Sequence, residues 1–156
     1  MASRDGPATD VAAEDFEARV RASFERQRVM TSMGATMTRV EAGLVEIELP
    51  YRVELTQQHG FIHAGIVATI LDSACGYAAF SRMPLGYAVL TAEYKINLMR
   101  PAKGDRFIAR ARVVRAGKVL TVCTGDAFAV EGDRERIVAT MLATIMAVPE
   151  QDDLTG

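Results

Sequence analysis

The chain has 156 residues, of which 49% are hydrophobic and 24% are charged, and this composition is typical of one folded domain with a sizeable core. Its formal net charge of -2 gives no support for a protein that binds nucleic acid. Asp72 and Gly76 interrupt the central apolar run, so no membrane span is expected, and Cys75 and Cys123 lack metal-site or disulfide-framework spacing.

The N-terminal region predicts a tail followed by one helix. Residues 1–10 are polar and lack the apolar core of a secretory signal, so we expect a disordered tail and a cytoplasmic protein. Phe16, Val20 and Phe24 then recur at the spacing of one helix face, with charged residues on the other faces. This pattern predicts an amphipathic helix over residues 11–29.

Strands are predicted over most of the rest of the chain. A first hairpin turns at Ala42–Gly43, and four more strands follow the central apolar segment. The predicted strands cover residues 33–40, 45–49, 87–99, 106–115, 119–130 and 137–148. Short turns between consecutive strands predict an antiparallel meander. No internal repeat or linker divides the chain, so we expect a single domain over residues 11–150 and a C-terminal tail over 151–156.

The central segment is the most informative part of the sequence. Residues 57–80 begin as a polar loop with glycine and continue as a helix that is apolar on every side, which predicts a buried helix. Asp72 is the one acid in this helix, and a buried carboxylate is costly unless it is paired or used. The N–H groups at the helix start lie two turns before Asp72. This arrangement suggests a site where an oxygen that gains negative charge meets a general base or a nucleophile.

The covering of this helix predicts the architecture. A curved antiparallel sheet can wrap most of a helix that is apolar on all sides, which predicts an α+β fold. The last strand, residues 137–148, is apolar on both faces, so we expect its outer face to be buried as well. With only one further helix available, a second subunit is the natural cover, and we expect a dimer that assembles into a tetramer as a dimer of dimers.

Two fixed spacings in the central segment resemble a known family. Gln57 precedes His63 by six positions, and Asp72 follows His63 by nine. Over about residues 33–148 the chain resembles the hot-dog-fold acyl-CoA thioesterases, in particular the PaaI-like branch named for phenylacetate degradation. The resemblance implies a sheet wrapped around one long helix, hydrolysis of an acyl-CoA thioester without a metal or redox cofactor, and homo-oligomers. The chain departs from the family at Ala64, where His-Gly-Gly is usual.

The resemblance also implies roles for individual residues. The Ala64 N–H, together with that of Gly65, would polarise the thioester carbonyl, and His63 would hydrogen-bond near it. Asp72 would activate water or attack directly, while Gln57 and Thr91 would position water or the carboxylate. In the family each active site lies between two subunits, with the loop and helix start of one facing the acid of the other. Coenzyme A phosphates would bind cations at strand ends and turns, namely Arg100, Lys103, Arg115 and Lys118.

The residues taken alone leave other interpretations open. Asp72 could be a structural acid, the helix start an ordinary one, Thr91 a plain strand residue, and the four cations solvated turn residues. His59 and His63 lack a cysteine or acid that would complete a metal site, so none is expected. Two other functions also remain: a hot-dog enoyl-CoA hydratase or dehydratase, and a non-catalytic acyl-CoA-binding module, which the Ala64 departure favours.

Overall fold

The computed structural model of the chain describes residues 13–151, 154 and 156. The tail predicted for residues 1–10 lies outside this range, and the predicted C-terminal tail is described in part. The elements are the helices α1 (Ala13–Glu25), α2 (Arg28–Met33) and α3 (Ala64–Phe80), a short 3-10 turn (Val53–Leu55), and the strands β1 (Thr36–Glu41), β2 (Leu44–Pro50), β3 (Tyr87–Leu98), β4 (Arg106–Arg115), β5 (Leu120–Glu131) and β6 (Arg134–Pro149).

The N-terminal prediction was wrong in its boundaries. The single helix expected over residues 11–29 is two helices, and the strand expected from Met33 begins at Thr36. Gly34 ends α2 in a left-handed conformation, with φ of 74°, and its N–H bonds back to the Thr31 carbonyl. Because Met30 and Met33 are both buried one turn apart, this segment follows helical periodicity up to that glycine.

The sheet has the strand order β1-β2-β4-β5-β6-β3, and every neighbouring pair is antiparallel. The predicted β1–β2 hairpin and the β4–β5–β6 meander are confirmed. The simple meander is wrong for β3, which pairs with β6 at the far edge while β2 pairs with β4. The connection through α3 explains this placement, since a helix of 17 residues carries the chain about 25 Å across the sheet.

The sheet curves around α3 as expected. The helix packs against β2, β3, β4, β5 and β6, and from Ile70 to Phe80 every residue except Asp72 is buried. Gly125 of β5 allows the closest approach, because a Cβ there would lie 3.1 Å from the Cys75 Sγ atom. No helix among the described residues is long and apolar enough to cross a membrane.

The expectation that β6 is buried on both faces is not met within one chain. Ala143 and Ile145 are fully buried on the inner face, whereas Leu142 is 53% exposed on the outer face. The inner face lies against α3, but no element among residues 13–151 covers the outer one. The second subunit expected to cover this face stays a prediction.

Helix α1 is fastened to the end of α3 by one arginine. The Arg19 guanidinium donates hydrogen bonds to the carbonyls of Phe80, Met83 and Pro84, at 3.2, 2.7 and 3.0 Å. It also lies 4.4 Å from the centre of the Phe80 ring, a cation–π contact. The carbonyls at and just beyond the C-terminus of α3 carry partial negative charge, so a cation there is favourable. The contact holds α1 beside the C-terminal end of α3.

Candidate active site

Asp72 is the polar exception in the buried helix, and it is paired. The Thr91 hydroxyl on β3 donates a hydrogen bond of 2.8 Å to Asp72 Oδ1. Burial raises the pKa of the Asp72 carboxyl, and the Thr91 hydrogen bond opposes this by favouring the ionised form. Among the described residues, Thr91 is the one hydrogen-bond partner of this side chain. The second carboxylate oxygen can therefore accept a proton or contact a ligand.

A cavity of about 340 Å³ opens beside this pair. It lies between α1, α3 and β3, and its wall includes Ser23, Gln27, Asp72, Tyr77, Val89 and Thr91. Gly76 borders it one turn beyond the acid, and a Cβ built on Gly76 would meet no atom within 4 Å. The carboxylate is therefore half-buried yet has open space in front of it. Leu154 and Gly156, near the C-terminal end, also reach this cavity.

The start of α3 is capped by His63. Its Nδ1 atom accepts a hydrogen bond of 2.9 Å from the Gly65 N–H, which fixes the other ring nitrogen as the protonated one in neutral imidazole. A Cβ on Gly65 would lie 3.1 Å from Nδ1, so the cap favours glycine at this position. The Gly65 N–H is thus used within the chain, whereas the Ala64 N–H donates to no described residue.

The loop before α3 is held in a compact turn. The Gln57 N–H bonds to the Phe61 carbonyl at 2.9 Å, and the Gln57 side-chain oxygen accepts from the His59 N–H. The Ile62 N–H bonds to the Ala102 carbonyl at 3.0 Å, which ties the loop to the segment after β3. The Gln57 amide group is therefore oriented by its own loop, with its NH2 group directed away from that internal bond.

A second cavity of about 440 Å³ lies at this end of the molecule. Gln57, Phe61, Ala64, Leu98 and Arg100 are among the residues that line it, and Asp72 is not. Ala64 and Asp72 are eight residue steps apart, which is about 12 Å along the helix axis. One chain therefore places the predicted site residues in two groups, one around Asp72 and Thr91 and one at the helix start.

The four cations predicted for coenzyme A are also divided. Arg100 and Lys103 lie near the start of α3, where Arg100 Nη1 donates to the Ile137 carbonyl at 2.9 Å. Arg115 and Lys118 lie at the turn between β4 and β5, and the length of β4 separates that turn from the first pair by about 30 Å. All four side chains are exposed. Within one chain they cannot contact the same small ligand.

Comparison with known proteins assigns the family. Residues 59–135 match the model of the thioesterase superfamily. A thioesterase family protein of known structure from Silicibacter pomeroyi is 53% identical, covers 86% of this chain and 99% of its own, and superposes with a TM-score of 0.85. The chain belongs to the thioesterase superfamily. The predictions of a hot-dog fold and of a thioester hydrolase are thereby confirmed.

More distant relatives agree with this assignment. A Halobacterium salinarum protein with a provisional esterase name is 32% identical over 115 residues, which are 70% of this chain and 76% of the relative. The PaaI protein of E. coli, from a phenylacetic acid degradation operon, is 20% identical and superposes with a TM-score of 0.79 over 89% of this chain and 97% of its own. That likeness concerns the fold.

The contribution of the N-terminal helices to the site was not predicted from the sequence. Ser23 and Gln27 line the cavity beside Asp72, and Ser73 Oγ donates to Gln27 Oε1 at 3.0 Å. The only signal in the sequence is a pair of polar residues near the end of an amphipathic helix, which is also typical of a solvated surface. Contacts across 46 residues cannot be predicted from such a pattern.

Two other candidate chemistries find no support in the described residues. No group of three or more histidine, cysteine or acidic side chains among them could hold a metal ion. Both cysteines are buried, and burial raises the pKa of the Cys123 thiol to about 12 and that of Cys75 far above its usual range. Thiols that remain protonated are poor nucleophiles, so these two act as packing residues.

Proposed function

We propose that the protein is an acyl-CoA thioesterase in which Asp72 supplies the base or the nucleophile. The observation that carries this proposal is the half-buried carboxylate of Asp72, held by Thr91 at 2.8 Å beside an open cavity. A single structural acid would be expected to satisfy its oxygens within the fold. Asp72 instead has one fixed oxygen and a cavity in front of it, which is how a reacting carboxylate is held.

The reaction follows from these groups. The Ala64 N–H donates to the thioester carbonyl oxygen, and the positive end of α3 stabilises the negative charge that develops there. Ionised Asp72 removes a proton from water as its oxygen bonds to the carbonyl carbon, and the proton then passes to the departing sulfur as the C–S bond breaks. In the alternative route the carboxylate attacks the carbonyl carbon itself, the C–S bond breaks to release coenzyme A as its thiolate, and water hydrolyses the resulting anhydride to the free acid and restores Asp72.

Positioning roles fall to the neighbouring side chains. Thr91 holds one oxygen of Asp72, so that the other is directed to the substrate. His63 fixes the first turn of α3 through Gly65, and the Gln57 amide lines the cavity that the Ala64 N–H adjoins. These contacts support roles in orienting the carbonyl or the water rather than in transferring protons.

We propose that the complete site forms between two copies of the chain. Strand β3 lies at the edge of the sheet, and Thr91–Lys95 are exposed along it. A long, uncovered edge strand pairs readily with another strand. Antiparallel pairing of β3 with its copy would bring the Leu98 end of one strand, near the start of α3, beside the Thr91 end of the other strand, near Asp72. Ala64 of one copy could then approach Asp72 of the other.

The same arrangement has consequences for coenzyme A and for assembly. It would place Arg100 and Lys103 of one copy near Arg115 and Lys118 of the other. The phosphates of coenzyme A could then contact cations from both copies. The exposed side chains Leu120 and Leu142 on the outer sheet face support a further pairing of dimers into a tetramer.

We also place the enzyme in the cytoplasm. The two cysteines are free thiols, and thiols persist in reducing compartments. Acyl-CoA substrates carry a large charged carrier that does not cross membranes unaided. Cell fractionation that recovers the protein with a periplasmic or secreted marker would contradict this location.

The decisive test of the activity is Asp72→Asn. This change keeps the size of the side chain and its acceptor for Thr91 but removes the base and the charge. We expect thiol release from acyl-CoA to fall at least about a hundredfold, the lower range for acid–base catalysis. Turnover close to that of the parent in folded Asp72→Asn protein would refute the catalytic role, and hydration of enoyl-CoA without thiol release would indicate a hydratase.

The same variant has a stability signature. Because burial raises the pKa of Asp72 in the folded chain, its ionised form is less favourable folded than unfolded. This penalty is absent below the unfolded-state pKa and grows as the pH rises through the folded-state value. We therefore expect Asp72→Asn to melt no lower than the parent at neutral pH, with the advantage lost in acid. A structural acid would show the reverse at neutral pH.

A further inference from the structure

Tyr51 is a large aromatic residue at the surface, and packing in the core does not account for it. It directly follows β2, and 41% of its surface is exposed. Its N–H bonds to the Asp105 carbonyl at 3.0 Å, which fixes its backbone beside the start of β4. Its hydroxyl donates a hydrogen bond of 3.2 Å to the Gly60 carbonyl. The side chain of Tyr51 therefore connects the end of β2 to the loop before α3.

The two halves of that loop are held in different ways. The half next to α3 is tied to the rest of the fold by its backbone, since the Ile62 N–H bonds to the Ala102 carbonyl at 3.0 Å. The other half, residues 57–60, has backbone bonds only within the loop. In the described part of the chain, the Tyr51 hydroxyl is the one group from outside the loop that hydrogen-bonds to this half. Its position therefore depends on Tyr51.

The Gln57 side chain follows the orientation of this half of the loop. The Gly60 N–H bonds to the Gln57 carbonyl at 3.0 Å and closes a four-residue turn. Inside the turn, the His59 N–H donates to the Gln57 side-chain oxygen. The Gln57 amide is thus fixed to the turn, and the turn is fixed to the fold through Tyr51. A movement of the turn would redirect this amide, which lines the cavity at the start of α3.

We propose that Tyr51 is a positioning residue, and that its hydroxyl holds the turn that orients the Gln57 amide. The inference rests on the proposed thioesterase function, in which Gln57 orients the thioester carbonyl or the attacking water. A misplaced orienting group lowers the rate at which bound substrate reacts more than it lowers affinity. Tyr51 lines neither of the two cavities described above, so it acts through Gln57 rather than on the substrate.

The first test is Tyr51→Phe, which removes only the hydroxyl. We expect kcat for acyl-CoA hydrolysis to fall roughly three- to tenfold, the effect of one hydrogen bond, with KM and the melting temperature nearly unchanged. Tyr87→Phe is the matched control, because Tyr87 begins β3 whereas the loop bonds to the segment after that strand. Parental kcat in Tyr51→Phe would overturn the inference, even if Tyr51→Ala were slow, since the ring alone would then matter.

A double-mutant cycle tests whether Tyr51 acts through Gln57. Gln57→Ala removes the amide that the turn orients, so the addition of Tyr51→Phe should reduce kcat no further. Losses that multiply would mean that Tyr51 affects the reaction by another route, and they would contradict the positioning role. A residue that only stabilised the fold would show such independent losses together with a lower melting temperature.

Hydrogen exchange separates this inference from the proposed activity. In Tyr51→Phe the His59 and Gly60 amides should exchange roughly three- to tenfold faster, because the turn opens more often without the hydrogen bond. The Ile62 amide, which bonds to Ala102, should keep its parental rate and is the internal control. Unchanged exchange at His59 and Gly60 would overturn the inference while thiol release still supported a thioesterase. Faster exchange in a protein whose parent releases no thiol from acyl-CoA would support the role of Tyr51 and count against the proposed function.

Discussion

Thr91 adjusts the acidity of Asp72 through one hydrogen bond. Its hydroxyl favours the ionised carboxylate, while burial favours the protonated one. In Thr91→Val, which keeps the shape of the side chain, the pKa of Asp72 should rise further because only burial remains. Since the reaction requires ionised Asp72, we expect the acid limb of the kcat/KM profile to move to higher pH. Measurement of thiol release against pH provides the check.

Thr91→Ser is the matched control for this shift. It retains the donor but removes the methyl group, so its acid limb should stay near that of the parent. A Thr91→Val profile with an unmoved acid limb and a uniform loss at every pH would mean that Thr91 contributes packing alone. The pH dependence therefore distinguishes a positioning residue from a merely structural one.

The attachment of α1 is a property of two elements rather than of one residue. Arg19 donates to three carbonyls around the end of α3. A buried charge-assisted hydrogen bond contributes about 1.5–3 kcal/mol, and because solvent competes for this part-exposed guanidinium, the three together contribute about as much as one such bond. We expect Arg19→Ala to lower the free energy of unfolding by about 2 kcal/mol, measured by urea denaturation. Because α1 carries Ser23 into the cavity wall, the variant should also raise KM for acyl-CoA more than it lowers kcat.

A surface arginine provides the comparison. Arg28 is exposed at the start of α2, and its replacement by alanine should change stability by less than about 0.5 kcal/mol. The loss of stability in Arg19→Lys should lie between the losses in Arg19→Ala and Arg28→Ala, since a lysine has no planar group that can bond three carbonyls. Equal stabilities for Arg19→Ala and Arg28→Ala would show that α1 docks without this contact.

At the scale of the whole molecule, the separation of Ala64 from Asp72 predicts complementation between inactive variants. Ala64 is the first residue of α3, where proline fits the helix but lacks the N–H, and His63 before it has an extended conformation that proline tolerates. Ala64→Pro and Asp72→Asn should each be nearly inactive alone. Refolded together in equal amounts, they should regain about a quarter of the parental activity, because half of the dimers are mixed and each mixed dimer has one intact site.

The outcome distinguishes two arrangements of the site. Recovery requires that the N–H of one copy and the carboxylate of the other act on the same substrate. If both groups acted within one chain, every site in the mixture would lack one of them and activity would stay absent. Sedimentation of the mixture at the assay concentration confirms that dimers are present, and a monomer there would contradict the shared site.

Much of the fold was predictable because its signals are local. Alternation and turn residues located the four strands after α3, and the apolar run with its single acid located the helix. The position of β3 at the far edge was not predictable, since it depends on which strands meet after α3 has crossed the sheet. The break between α1 and α2 at Arg26 and Gln27 was missed because helical periodicity continues on both sides of it.

The candidate site divides in the same way. The spacing of Gln57, His63 and Asp72 indicated the loop and the acid, and Thr91 was expected near the carboxylate. The bond from the Gly65 N–H to His63 Nδ1 could not be predicted, because it depends on the rotamer of one side chain. The positions of Ser23 and Gln27 in the cavity wall could not be predicted either, because they depend on the docking of α1, which is a tertiary contact.

The burial of the two cysteines affects how the enzyme can be observed. Thioester cleavage releases the thiol of coenzyme A. This thiol can be detected with a disulfide reagent that releases a coloured product when it reacts with a thiolate. Cys75 and Cys123 are fully buried, and burial raises the pKa values of both thiols. The native protein should therefore not react with such a reagent. Unfolding exposes both thiols at once. Reaction of the two cysteines with the reagent therefore reports unfolding. A colour change that requires substrate measures turnover, whereas one that appears without substrate measures loss of the fold.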